Sequence, residues 1–183
     1  MSTPTSEAVP GAATVPPGKM RKVASASFIG TAIEYYDLLI YGTAAALVFP
    51  HVFFPDSDPG VAVLASFATF AVAFFARPVG SVIFGHFGDR IGRKRTLVWT
   101  LLIMGFATVM IGLLPGYSSG VFGILPGGAG ALAPILLVLL RFLQGFAVGG
   151  EWAGAALLTA EYSPPKKRGL YAMFPQLGPA AAF

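Results

Sequence analysis

Five ionisable side chains, Glu34, Asp37, Arg77, Arg141 and Glu151, sit inside long apolar stretches of this sequence. In hydrocarbon each costs at least ~2.5 kcal/mol unless it is paired or hydrated, so each needs a partner, water or a task. Three acids face two bases, and a carboxylate left over in a low-dielectric site can exchange a proton near neutral pH. Glu34 and Asp37 are three residues apart, which puts both on one side of a helix. Like charges that close resist joint ionisation, which makes the two acids the first candidates for proton or cation handling. The structural alternative is pairing with arginine or hydrogen bonding to neighbouring helices. Arg77 and Glu151 fall at similar depth and can pair. Arg141 stands nearer the opposite side, where its guanidinium suits a bidentate contact with a substrate carboxylate; a structural bond to Asp37 or to backbone carbonyls is the equal alternative.

The elements that must hold these groups follow from composition and length. Of 183 residues 55% are hydrophobic and 11% charged, and mean hydropathy is +0.73. That excludes a soluble globular domain and a disordered chain, and defines an all-α membrane protein. Apolar stretches run over residues 25–49, 61–84, 96–114 and 135–159. At about 1.5 Å per residue each can cross a hydrocarbon core of about 30 Å with some tilt. A fifth stretch, residues 170–183, is interrupted by Pro175 and Pro179 and reaches only about 21 Å as a helix, too short to span. The sequence therefore predicts a loose tail over residues 1–18, rich in Pro, Ala, Ser and Thr. Residues 19–183 then form a transmembrane bundle expected to be truncated within its fifth helix.

Charge placement gives an orientation. Lys19, Arg21 and Lys22 precede the first span; Arg90, Arg93, Lys94 and Arg95 lie between the second and third; Lys166, Lys167 and Arg168 follow the fourth. These are ten of the twelve Lys and Arg residues, and the alternate loops, residues 50–60 and 115–134, contain none. The positive-inside rule makes the N-terminus and both basic loops cytoplasmic. The net charge of +4 is thereby absorbed by topology, so the expected partner is the lipid bilayer and not nucleic acid. A cleaved signal peptide is disfavoured, because the first apolar run is too long and contains Glu34 and Asp37.

Chemistry of other kinds finds little support. There is no Cys, and His51 and His86 lie in predicted loops, so no nucleophile arrangement, metal cluster or cofactor site emerges and an enzyme is not expected. Gly145 and Gly149, with Gly150 and Gly154 in a second register, allow a neighbouring helix close approach. Phe28, Tyr35, Tyr36, Phe74 and Phe75 read as packing more readily than as ligand platforms. The segment 85–95, Gly-His-Phe-Gly-Asp-Arg-Ile-Gly-Arg-Lys-Arg, has the glycines of a tight reversal and a basic run suited to a membrane face.

That segment resembles the signature loop between helices 2 and 3 of the major facilitator superfamily. Glu34-Tyr-Tyr-Asp37 with Tyr41-Gly42, the run Phe75-Ala-Arg77-Pro78-Val-Gly80, and Arg141-Phe-Leu-Gln-Gly145 through Gly149-Gly150-Glu151 are similar to its metabolite:proton symporter branch. Glu161-Tyr-Ser-Pro164 and Pro175-Gln-Leu-Gly178 continue the likeness, which covers essentially residues 19–183. The resemblance implies the first four transmembrane helices and a partial fifth of an N-terminal bundle, within two six-helix halves that alternate access to a midplane site. It implies symport of a small polar metabolite, an organic acid or a zwitterion, with protons across the cell (inner) membrane. Gly85, Asp89, Arg90, Gly92 and Arg93 would form a cytoplasmic gating loop, with Glu161 near it. Glu34, Asp37, Arg77, Arg141 and Glu151 would line or support the pathway.

Two features depart from the pattern. The outer loop 116–133 is long and glycine-rich, and most of helix 5 and the C-terminal helices are missing from the sequence. The chain alone is accordingly expected not to transport. The alternative reading is a membrane binding or assembly module that docks through its glycine-rich faces without moving solute.

Overall fold

The computed structural model describes residues 17–120, 127–163 and 168–182. Most of the predicted tail, the tip of the outer loop and part of the last basic loop lie outside the described residues. Six α-helices follow in order: α1 (Pro17–Leu47), α2 (Phe49–Phe53), α3 (Pro59–Ile91), α4 (Arg93–Leu113), α5 (Leu132–Tyr162) and α6 (Arg168–Ala182). Among the described residues three helical segments, Pro59–Ile91, Arg93–Leu113 and Leu132–Glu151, are long and apolar enough to cross a membrane. At 31 residues α1 also has the length, but its apolar run is diluted by Glu34 and Asp37.

The helices bury small residues and expose large ones. Along α3 the buried positions are Ala62, Ser66, Thr69, Ala73, Ala76, Gly80 and Gly88, a three-four spacing that marks one face. Leu64 (71% exposed), Phe75 (79%) and Val82 (73%) point away from the chain. In water this would be inside out; in lipid, small faces bring helices together while bulky apolar side chains meet the acyl chains.

Helices α3 and α5 make the tightest crossing. A Cβ on Gly145 would overlap the Ala73 backbone, one on Gly149 the Arg77 carbonyl, and one on Gly80 the Phe146 carbonyl. Gly150 meets the Phe84 side chain instead. Gly145, Gly149 and Gly150 are thus spent inside the chain, while the surroundings of Gly154 lie outside the described residues. Helix α6 packs on α1 in the same way, Gly178 seated on Thr31 and Ala32, and it runs unbroken through Pro175 and Pro179. Prolines predicted to interrupt the segment are tolerated, as they are where neighbouring helices and local adjustments satisfy freed backbone groups.

The segment 85–95 is also more helical than its glycines suggest. Helix α3 continues to Ile91 and α4 starts at Arg93, leaving Gly92 alone to turn the chain. Its φ of +102° is accessible to glycine and costly for a residue with a Cβ. Its N–H donates to the Gly88 carbonyl at 3.1 Å, and Thr96 Oγ1 donates to its carbonyl at 3.3 Å. Gly92→Ala is expected to destabilise the bundle by roughly 1–2 kcal/mol. Gly85→Ala, at a helical position with open space around it, should be neutral or slightly stabilising. Thermal unfolding of the two variants in detergent checks the contrast.

At the opposite end α2 folds under a cluster of Tyr41, Ala45, Phe49, Phe53, Ala133 and Leu137. The described part of the long outer loop lies against it: Tyr117 N–H donates to the Val52 carbonyl at 2.8 Å, Ala129 N–H to Gly116 at 2.9 Å and Gly130 N–H to Tyr117 at 2.9 Å.

Candidate functional site

Two helices supply most of the polar interior. On α1 the spacing Glu34, Asp37, Tyr41 turns three functional side chains inward. On α5 the buried positions Arg141, Gln144, Val148 and Glu151 repeat at three and four residues, so one stripe of the helix carries a base, an amide and an acid through the bundle. Helix α3 adds Thr69, Phe70 and Arg77, and α4 adds Thr108.

The first layer is centred on Asp37. Its Oδ2 lies 3.6 Å from Arg141 Nη1 and accepts a short hydrogen bond from Gln144 Nε2. Its Oδ1 accepts from Thr108 Oγ1 at 3.1 Å. Gln144 ties the group together: its Oε1 accepts from Arg141 Nη1, while Nε2 also donates to Thr108 Oγ1 at 2.8 Å. The Arg141 guanidinium carbon sits 3.7 Å from the Tyr41 ring centroid and 5.2 Å from that of Phe70, a cation–π arrangement that offsets part of its desolvation. Tyr41 is itself fixed by a 2.8 Å hydrogen bond between its hydroxyl and Thr69 Oγ1. Arg141 is 2% exposed, and its Nε has no hydrogen-bond partner among the described residues, which leaves one donor of the guanidinium for another acceptor.

The second layer is displaced toward the basic loop. Arg77 Nη2 lies 3.3 Å from Glu34 Oε1, with the guanidinium 5.1 Å from the Phe74 ring centroid. Glu34 is 3% exposed, and Glu34 Oε2 and Arg77 Nε are buried without hydrogen-bond partners. Glu151, 2% exposed, packs on α1 at Gly30, where an added Cβ would lie 3.0 Å from Glu151 Oε1. Between the layers Glu34, Asp37, Arg77, Arg141 and Gln144 surround a void of about 10 Å³, about the space one water requires.

The structure changes one of the expected pairings and forms two of the open alternatives. Glu34 and Asp37 each face an arginine, the structural alternative open to them. Arg77 pairs with Glu34 rather than with Glu151, because Gly149 brings the two backbones together directly at Arg77. Arg141 lies against Asp37, the structural contact open to it. Gln144, Thr108 and Tyr41 complete the site; Gln144 and Tyr41 stand at helical spacing from Arg141 and Asp37, and Thr108 carries no comparable mark in the sequence. In the expected gating segment, Arg93 Nη2 and exposed Asp89 are 3.5 Å apart at i, i+4 spacing, a geometry that contributes little to stability at a surface. Gly85 and Arg90 belong to the last turns of α3, and the Glu161 side chain lies outside the described residues.

Beside Asp37 a cavity of about 620 Å³ opens toward the outer loop, with Asp37, Thr108 and Gln144 as its polar floor and Tyr41, Phe49 and Phe53 among its apolar walls. A concave apolar chamber ending on a few convergent polar groups is the usual form of a small-molecule site.

A helical bundle of this kind, with charges paired among apolar helices, defines an all-α membrane protein, and sequence comparison gives its family. Residues 22–183 match the family of sugar (and other) transporters, a major facilitator family, and the chain belongs to it. It is 58% identical over 168 residues to the inner membrane metabolite transport protein YhjE of Escherichia coli, covering 92% of this chain and 36% of that protein. It is 50% identical to the shikimate transporter of the same organism, again over 92% of this chain and 36% of the relative. The proline/betaine transporter of Salmonella typhimurium is 42% identical over 91% of this chain and 31% of its own length. The chain thus spans about a third of the length of these relatives. No solved structure matches it significantly.

Proposed function

We propose that this chain forms the N-terminal bundle of a proton-coupled symporter for a small polar metabolite, an organic acid or a zwitterion. It works in the inner membrane with its N-terminus cytoplasmic. The observation that carries the proposal is the Asp37–Arg141 pair, buried at mid-depth, bridged by Gln144 and open to a solute-sized cavity. Protonating Asp37 cancels the attraction that holds Arg141, and the freed guanidinium can engage a substrate carboxylate in bidentate fashion. Deprotonation restores the pair and displaces the carboxylate. Proton and solute occupancy are thereby linked through one arginine.

Alternating access further requires a second bundle opposed to this one, supplied by partner helices equivalent to the remaining two-thirds of the relatives' length. The test compares uptake of labelled shikimate-like acids and betaines, under an imposed inward proton gradient, by the 183-residue chain and by a chimera that adds the C-terminal portion of a relative. Uptake by the chimera and none by the chain alone is expected. Robust proton-coupled uptake by the chain alone would refute the need for the opposed bundle, and a chimera that inserts but accumulates none of these solutes in response to the gradient would refute the coupling.

A further inference from the structure

The two ion pairs consume both arginines set within the bundle, Arg141 buried and Arg77 32% exposed at its side chain, and leave one acid over. Glu151 is 2% exposed, its Oε2 has no hydrogen-bond partner, and no basic side chain among the described residues pairs with it. Its only charged neighbour of consequence is another acid, Glu34, already bound to Arg77. The remaining charges on the elements around it are Asp37 on α1 and Arg141 on its own helix, held to each other, with Lys19, Arg21 and Lys22 at the start of α1, Glu161 at the end of α5, and Asp89 and Arg90 farther along α3. Beyond Arg95 in α4 and Arg168 in α6 there is no charged side chain; α6 contributes only Tyr171.

From this placement we propose that Glu151 is a second proton-binding site, separate from Asp37, set against Gly30 on the basic-loop side of the Glu34–Arg77 pair. The proposal deepens the symport reading and rests on it for the membrane setting. Fully ionised, the Glu34, Arg77 and Glu151 layer would carry one uncompensated negative charge on two buried carboxylates served by a single arginine, which is costlier than binding a proton at Glu151. A proton on Glu151 also gives its carboxyl a donor, so a group with an unpartnered oxygen becomes able to hydrogen-bond. Gly30 is what admits the carboxyl: its missing Cβ leaves the space that Oε1 approaches.

Infrared difference spectroscopy of the reconstituted chain between acidic and neutral pH tests this without any transported solute, so its failure would leave the transport reading standing. The wild-type chain should show the carbonyl stretch of a buried carboxylic acid at low pH, lost as the pH rises. Uniform ¹³C-glutamate labelling should shift that band, and in Glu151→Asp the titrating band should become insensitive to the label. Glu151→Gln should abolish it. A band that ignores glutamate labelling in the unmodified chain would overturn the proposal even if every variant failed to insert. So would a band that still shifts with the label in Glu151→Asp, or that persists at full amplitude in Glu151→Gln.

Discussion

Asp37→Asn, introduced into a transporter carrying this bundle, is expected to lower gradient-driven accumulation by about 10–100-fold, the range of a coupling free energy of roughly 1–3 kcal/mol. The change is nearly isosteric. The amide oxygen can still accept from Thr108 Oγ1, which lies 3.1 Å from Asp37 Oδ1, while its NH2 replaces the oxygen that accepts from Gln144 Nε2, so the Gln144 amide must turn to present its own oxygen. What disappears is the charge that opposes Arg141 at 3.6 Å. The guanidinium then has no carboxylate to return to, and solute binding no longer depends on a proton at this position. Exchange of solute across the membrane without a proton gradient should therefore persist while accumulation is lost. Paired measurements of pH-driven uptake and of solute exchange distinguish this from a folding defect, which would depress both.

Gly145→Leu and Gly149→Leu are expected to have the largest effects on stability. A side chain at either site meets backbone, Ala73 and Arg77 respectively, so no rotamer change can relieve the overlap and α3 must separate from α5. Overpacking a tight interior typically costs ~1–3 kcal/mol, and separation of backbones belongs at the upper end of that range. It would also pull Arg77 away from Glu34. Gly105→Leu supplies the control, since a Cβ there meets nothing within 4 Å. Melting temperatures in detergent should fall sharply for the first two variants and stay near the parent for the third.

The contrast between what was legible in the sequence and what was not has a physical basis. Charged residues announce themselves inside an apolar run because the bilayer makes them expensive, which is why Glu34, Asp37, Arg77, Arg141 and Glu151 stood out. Their partners could not be read in the same way. Residues three apart on a helix differ in direction by about 60°, enough to aim Glu34 at α3 and Asp37 at α5. Which neighbour lies in each direction depends on where the glycines let helices cross. Gln144 and Thr108 escaped notice because uncharged polar groups cost far less in a helix and carry no comparable signal. The helical ends were misjudged for a related reason. Gly85, Gly88 and the basic run look like a turn, yet lipid-embedded helices tolerate glycine where packing supports them, and the turn was compressed into Gly92 alone.

The glycine-rich outer loop shows the same dependence on context. Its length and glycine content depart from the family pattern, and Gly116 and Gly128 sit where a Cβ would strike Val52 and the Tyr117 backbone. The glycines there permit close packing of the loop over α2, beside the cavity that ends at Asp37.

The central claim is that proton and solute move together through the Asp37–Arg141 site. Simultaneous recording of solute uptake and external pH, in vesicles containing the bundle joined to its C-terminal partner helices, tests it most directly. Adding solute to the outside should alkalinise the medium in step with uptake, and a protonophore should abolish accumulation. Accumulation that withstands the protonophore, with no accompanying change in external pH, would contradict it.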